Sequence, residues 1–462
     1  MKANVLILPA LVLGLLLAGG CAMGPDYERP ETPMPESFRQ DPVDGPGIAN
    51  LNWWELFGDE RLNELVTLAL EQNNDLAIAV SRIEEARAIL GFVRSDQYPQ
   101  FDVSAGANRG NSIPGTSFIT GTSNNFVLAG NLSFELDLWG KLRRSTEAAQ
   151  AELLATIDAG NTVRITLIAD VASSYLLLLD LDARTAISER TLNTRKHSLD
   201  IIQARFDRGT VPLIDVNQAQ IELADAQAQL AALQREDEQV ENLLSVLLGR
   251  NPGPIVREKE DRAALQPPQI PVGLPSELLE RRPDVRGAEQ QLAAQTARIG
   301  VAEAIRFPSL SLTGTLGLAS DELSGFISSD NKTWGISAGL LAPVFNAGRN
   351  KRRLEAEIAR TEQALLNYQQ TVLQALREVE DSLVGVETYQ RETLARQYQV
   401  EAARSAAMLS RARYNGGVTS YLEVLESERS LFRAELLSSS THRLQLVSYV
   451  TLYKALGGGW TL

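Results

Sequence analysis

The side chains able to do chemistry in this chain gather at two copies of one turn. The first copy reads Ala204-Arg205-Phe206-Asp207-Arg208-Gly209-Thr210-Val211-Pro212-Leu213-Ile214-Asp215-Val216. The second reads Ala412-Arg413-Tyr414-Asn415-Gly416-Gly417-Val418-Thr419-Ser420-Tyr421-Leu422-Glu423-Val424. Arg205, Asp207 and Asp215 stand in the first; Arg411, Arg413, Tyr414, Thr419, Tyr421 and Glu423 stand in or beside the second. Such residues form ion pairs, hydrogen bonds and helix caps, contacts that are made and undone without breaking covalent bonds. No nucleophile elbow, phosphate-binding loop or zinc-protease motif occurs, and the carboxylates are spread along helical stretches. One cysteine, Cys21, and two histidines, His197 and His442, exclude a disulfide within the chain and argue against a Cys/His metal centre. The four methionines, Met1, Met23, Met34 and Met408, form no soft-metal cluster. The expectation is a protein that is not an enzyme and carries no cofactor or metal.

The elements that hold these turns are also duplicated. Arg413 follows Arg205 by 413 − 205 = 208 residues, Gly417 follows Gly209 by 417 − 209 = 208, and Gly457 follows Gly249 by 457 − 249 = 208. Most of the chain is thus two copies of one supersecondary unit. Lys141 to Ala204 contains no proline over 204 − 141 + 1 = 64 residues, roughly 96 Å if helical throughout. Ile168, Val171, Tyr175 and Leu178 step by three, four and three, as do Leu365, Tyr368, Val372, Ala375, Val379, Ser382, Val386 and Tyr389, which is a coiled-coil seam. Gly209 and Gly417 suit the left-handed residue that ends a helix, Pro212 the first turn of the next, and Ser420-Tyr421-Leu422-Glu423 reads as a capping box. Two helical hairpins follow, each reversing at one of the turns.

Each hairpin is preceded by two strand-like segments. Phe101, Val103 and Ala105 oppose Asp102, Ser104 and Gly106; Leu128, Leu132, Phe134, Leu136 and Leu138 oppose Asn131, Ser133, Glu135 and Asp137. In the second repeat Leu310, Leu312, Leu316 and Leu318 oppose Ser309, Ser311, Thr313 and Thr315, and Trp334, Ile336 and Leu340 oppose Ser337 and Gly339. A two-residue period fits a sheet on a soluble core or a lipid-facing barrel with a wet lumen. Polar stretches of about 108–125 and 319–332 between the strands of each pair favour the barrel.

The N-terminus decides the compartment. Lys2, the apolar run Val5 to Ala18 and Gly19-Gly20 have the order of a secretory signal. The stretch resembles a bacterial lipoprotein signal, in which Cys21 becomes the lipidated (palmitate-bearing) N-terminus, and Ala22 after it favours the outer membrane. No later segment offers the ~18 consecutive apolar residues of a spanning helix, so a crossing would have to be a closed barrel. Four strands are too few for one, since membrane barrels start at about eight, so several copies must share it. Net charge is −14 with no basic patch, which excludes nucleic acid as a natural partner.

At this point the chain resembles the TolC-type outer membrane factors, in the NodT-like lipoprotein branch that serves efflux systems. The resemblance rests on Gly24-Pro25-Asp26-Tyr27-Glu28-Arg29-Pro30, on Asp137-Leu138-Trp139-Gly140-Lys141-Leu142-Arg143-Arg144, and on Leu274-Pro275-Ser276-Glu277 with Arg281-Arg282-Pro283-Asp284-Val285. It continues through Phe307-Pro308, Ala342-Pro343-Val344-Phe345-Asn346-Ala347-Gly348-Arg349 and Ser420-Tyr421-Leu422-Glu423-Val424-Leu425. It implies a mainly α fold with β (α+β): a homotrimer sharing a twelve-stranded outer-membrane barrel, continuous with a long periplasmic helical barrel. The implied layout is a signal over 1–20, a lipidated extended segment over 21–60, a helix over 61–97, a strand pair over 98–138 and a hairpin over 139–249. An equatorial segment over 250–275, a helix over 276–306, a strand pair over 307–345, a hairpin over 346–456 and an equatorial tail over 457–462 complete it. The function implied is a passive duct exporting drugs, toxic compounds or metal ions, with a periplasmic adaptor and an inner-membrane pump of the RND type as partners. The turns become periplasmic tips, making Arg205, Asp207, Gly209, Asp215, Arg411, Arg413, Tyr414, Gly417, Thr419, Tyr421 and Glu423 the candidate gate. Val418, Thr419 and Ser420 put no carboxylate between Gly417 and Tyr421, so an acidic ring is not expected there. The alternative is a structural coiled-coil envelope lipoprotein without transport.

Overall fold

The computed structural model describes residues 22–39, 52–110, 122–257 and 277–458. The signal, Cys21, most of the 250–275 segment and the last four residues of the tail lie outside them. The chain forms two compact units. In chain order its elements are α1 (Glu60–Gln72), α2 (Asn74–Ser95), β1 (Gln100–Gly110), β2 (Ser123–Leu136), α3 (Lys141–Asp207), α4 (Leu213–Leu247), α5 (Leu278–Arg281), α6 (Pro283–Ala304), β3 (Ser309–Ser320), β4 (Lys332–Leu341), α7 (Arg349–Asn415) and α8 (Tyr421–Ala455).

The first unit takes in Arg82–Ile157, Gly287–Gln370 and the stretch up to Thr32. Its sheet is antiparallel throughout, in the order β1-β2-β3-β4. The register aligns the two-residue periods of all four strands. Phe101 pairs Leu132, Leu132 pairs Gly314 and Gly314 pairs Ile336, while Gly130, Leu316 and Trp334 line up behind Val103. One face is therefore apolar, and it is open: Trp334 is 77% and Ile336 82% exposed. Asp102, Asn131 and Thr315 form a row on the other face, where hydroxyls and amides bond across strands. Asn131 Nδ2 donates to Ser104 Oγ at 3.1 Å, and Thr313 and Ser337 share a 2.9 Å bond. β2 ends at Leu136, so Leu138 falls beyond the strand because Asp137 caps α3 instead, accepting from the Leu142 and Arg143 amides.

The N-terminal segment is fastened to this unit. Arg144, its side chain 5% exposed, donates to Met23 O and to Asp26 Oδ1 at 2.6 Å. Arg29 grips Glu289 of α6 with two bonds of 2.8 and 2.7 Å, and Tyr27 adds a third. Burial first, then the Glu289 charge, pushes the Tyr27 phenol well above its ordinary range. The segment lies so close to α6 that a Cβ on Gly24 would stand 2.5 Å from Gly300 Cα.

The second unit, Pro33–Ser81, Asp158–Arg286 and Thr371–Leu462, is helical. Its larger core joins the predicted seam residues Ile168, Val171, Tyr175, Leu178 and Val379 to Trp53, Leu62 and Leu65. Trp53 stacks on Tyr453 at 5.1 Å, 12° from parallel, a pairing that adds about 1 kcal/mol to plain burial. The segment 61–97, expected as one helix, holds two helices. Asn73 ends α1, and its side chain accepts from the Leu76 amide while donating to Leu247 O, so the break is held from both sides.

The repeat is kept helix by helix. α3 and α7 have 67 residues each, and α4 and α8 have 35 each. Their starts differ by 349 − 141 = 208 and 421 − 213 = 208. The 22-residue helices α2 and α6 differ by 283 − 74 = 209. The one-residue change of offset therefore falls between α6 and α7, across the strand pair.

Candidate functional site

Both turns close their helices by the same backbone device. Gly209 and Gly417 have φ of +71° and +73°. Their amides bond to Phe206 O and Tyr414 O, and the next amides, of Thr210 and Val418, reach back to Arg205 O and Arg413 O. This is the crossed pair of bonds of a Schellman motif, satisfying the last carbonyls of α3 and α7. Pro212 and Ser420 occupy the caps of α4 and α8. The capping box is not made: Ser420 gives no side-chain cap bond. Thr419 has taken the carboxylate it needed, donating its hydroxyl to Glu423, and Arg413 Nε lies 3.6 Å from the same group.

Beneath the turns, Ile202, Val216, Ala219, Tyr421, Val424 and Leu425 form a small separate core drawn from both hairpins. Above it, the Arg205 guanidinium lies 4.9 Å from the Tyr414 ring centre, and Tyr414 is tilted against Tyr421 at 5.5 Å. Burial, helped by the Glu428 charge, holds the Tyr421 phenol well above its ordinary range. Arg205, Tyr414 and Tyr421 are thus brought together, as are Arg413, Thr419 and Glu423. Arg411 crosses between the hairpins, donating to Ser198 Oγ of α3 at 2.7 Å and pairing with Glu428 of α8. Two predicted residues join neither group. Asp207 accepts only from Gln203 of its own helix at 2.9 Å. Asp215 has no ion pair among the described residues, and burial raises its carboxyl above the ordinary carboxylate range.

Further contacts between the hairpins lie about two to three helical turns away and were not singled out from sequence. Glu222 of α4, its side chain 7% exposed, sits between Arg195 of α3 at 3.1 Å and Arg429 of α8, whose Nε donates to it at 2.6 Å. Arg195 also reaches Asp225 and lies over the Phe432 ring at 5.2 Å. The Glu222 bond raises the Arg429 pKa. A signal was present, since Glu222 lies three residues from Ala219 and four from Ala226 on the buried stripe of α4, but its partners come from distant helices. Among the described residues no group of three His, Cys, Asp or Glu side chains is gathered as a metal would require. What this arrangement can do is hold two hairpins together by charge pairs that separate without chemistry.

A family profile described as Outer membrane efflux protein matches residues 65–250 and 274–458. The chain is 35% identical over 461 residues to the solvent efflux pump outer membrane protein SrpC of Pseudomonas putida, covering 98% of each. It is 33% identical over 448 residues to the cation efflux system protein CusC of Escherichia coli O157:H7, covering 96% of each. Among solved structures, the outer-membrane channel OprN superposes with a TM-score of 0.88 at 33% identity, over 95% of this chain and 100% of that one.

Proposed function

Since this chain belongs to the outer membrane efflux protein family, and is an outer-membrane channel component of efflux, we propose that it supplies one third of a trimeric duct gated at its two helical turns. The observation that carries this is the sheet. Its strands of 11, 14, 12 and 10 residues are long enough for a tilted crossing of hydrocarbon, which takes about 9–11. Yet β1 and β4 are each paired on one side only. An open edge in lipid leaves backbone groups unpaired at several kcal/mol each, and three copies give the twelve strands of a closed barrel with the apolar face outward and the hydroxyl-rich face on the lumen.

Export then consists of passage, with energy supplied by an inner-membrane pump of the RND type through a periplasmic adaptor that docks at the turns. Cys21 carries the lipid, and the clamp of Arg144 and Arg29 on residues 23–29 holds the segment that follows it. Opening separates the hairpins where Arg429 meets Glu222 and Arg411 meets Ser198. No bond is made or broken, so the family's channel role leaves no enzymatic step to assign. Relatives of nearly equal identity are named for solvents and for cations, which argues that cargo is chosen by the pump and adaptor. The test is conductance in planar bilayers together with native mass measurement in detergent. Three copies and a small resting conductance, rising when Glu222 is replaced, are expected. A monomer without conductance would return the chain to the structural-lipoprotein reading.

A further inference from the structure

Away from the turns, one charged cluster is buried within the helices of the second unit. Asp180 of α3 has a side chain 2% exposed. Its Oδ1 accepts from Ser439 Oγ of α8 at 2.5 Å. Its Oδ2 stands 3.6 Å from Arg443 Nε and 3.6 Å from Arg184 Nη1, too far for hydrogen bonds. Asp180 Oδ2 and Arg443 Nε are both buried without a hydrogen-bond partner among the described residues. Both residues line a cavity of about 30 Å³, walled on its apolar side by Leu176, Leu179 and Leu446 and completed by Ser439 and His442.

We propose that this cavity is a specific binding site for one water molecule, which donates to Asp180 Oδ2 and accepts from Arg443 Nε. Of the residues that line the cavity, Asp180 offers an unpaired acceptor and Arg443 an unpaired donor, and water is the small species that serves both. A halide would satisfy the guanidinium and face the carboxylate; a metal ion would do the reverse. The volume suits a single water, which needs roughly 10–15 Å³ and two to four polar partners. The cluster is not something this helix packing demands. The repeat-equivalent positions are 180 + 208 = 388 and 443 − 208 = 235, where Thr388 bonds its own helix at Val384 O and Arg235 is exposed.

α3 belongs to the first hairpin and α8 to the second, so the water lies in the seam between them. It acts there as a polar bearing: the seam shifts by exchanging a water-mediated pair for a direct one, without baring a charge. This role rests on the gating reading above; the binding site does not. The test is a density map of the purified full-length channel at a resolution that shows ordered water. A single peak within hydrogen-bond reach of Asp180 Oδ2 and Arg443 Nε is expected. In Ser439→Ala a second peak should appear beside Oδ1. Direct Asp180–Arg443 contact with no peak overturns the site, and so does a peak that bromide replaces. Ser439→Ala should also change the channel's opening rate several-fold. An unaltered rate with both peaks present removes the bearing role and leaves the water site standing.

Discussion

At the scale of single residues the proposed gate is a matter of which carboxylate serves which arginine. Glu222 carries the most, because it answers Arg195 in a buried position and Arg429 on the other hairpin. Glu222→Ala leaves the Arg195 guanidinium buried with the residue-222 carbonyl, Asp225 and the Phe432 face but without its buried carboxylate, and should weaken the closed arrangement by about 3 kcal/mol. Resting conductance in bilayers should rise accordingly, and Glu222→Gln should show a smaller rise. Asp215 sets a pH dependence. Its folded-state pKa is raised by burial above the ordinary value of about 3.9. A raised pKa means the folded chain holds the proton more tightly than the unfolded chain. The stabilisation is complete below about pH 4 and is lost as pH climbs through the raised value. Resistance to thermal unfolding should therefore fall as pH rises from about 4 toward neutrality, and Asp215→Asn should flatten that part of the profile.

Elements are where the sequence spoke most clearly and where it misled. Strand faces were legible because a two-residue period leaves no choice of which side chains share a face, and the register joined Phe101, Leu132, Gly314 and Ile336 as the alternation required. The turns were legible because only glycine accepts the φ of +73° that ends α7 without strain. Gly417→Ala meets no neighbour within 4 Å, so its effect is backbone strain alone. A loss of about 1 kcal/mol is expected in thermal unfolding, and Gly417→Asn should recover part of it. The break at Asn73 was missed because Leu62, Leu65, Leu68 and Leu76 carry an apolar stripe past it, and only the bond to Leu247 O shows what holds the two helices apart there. The expected capping box is not made, because Thr419 competes for the carboxylate that Ser420-Tyr421-Leu422-Glu423 reserves for the cap. The Glu222 cluster stayed hidden for a third reason: periodicity tells which face of a helix is buried, not which helix it meets 207 residues away.

For the whole molecule, membrane insertion and assembly should be coupled, since among the described residues nothing covers the apolar face and the sheet has two open edges. Ile336→Lys places a charge in the middle of that face and should cost about 2–4 kcal/mol per copy. Heat-modifiable trimer on detergent gels should fall, while circular dichroism of the helices stays unchanged. The matched lengths of 67 and 35 residues in the two repeats limit how the protein can change over time. Every added residue turns all that follow it by about 100° around a helix axis, so a lone insertion in α7 would carry Tyr414, Arg411 and Arg413 away from Arg205, Ser198 and Glu423 at one stroke. Reach across the periplasm can be tuned only by whole heptads, or by paired insertions made in both halves of the gene together. Drift in connector length is free to accumulate elsewhere, and the single-residue slip between 208 and 209 lies in such a place.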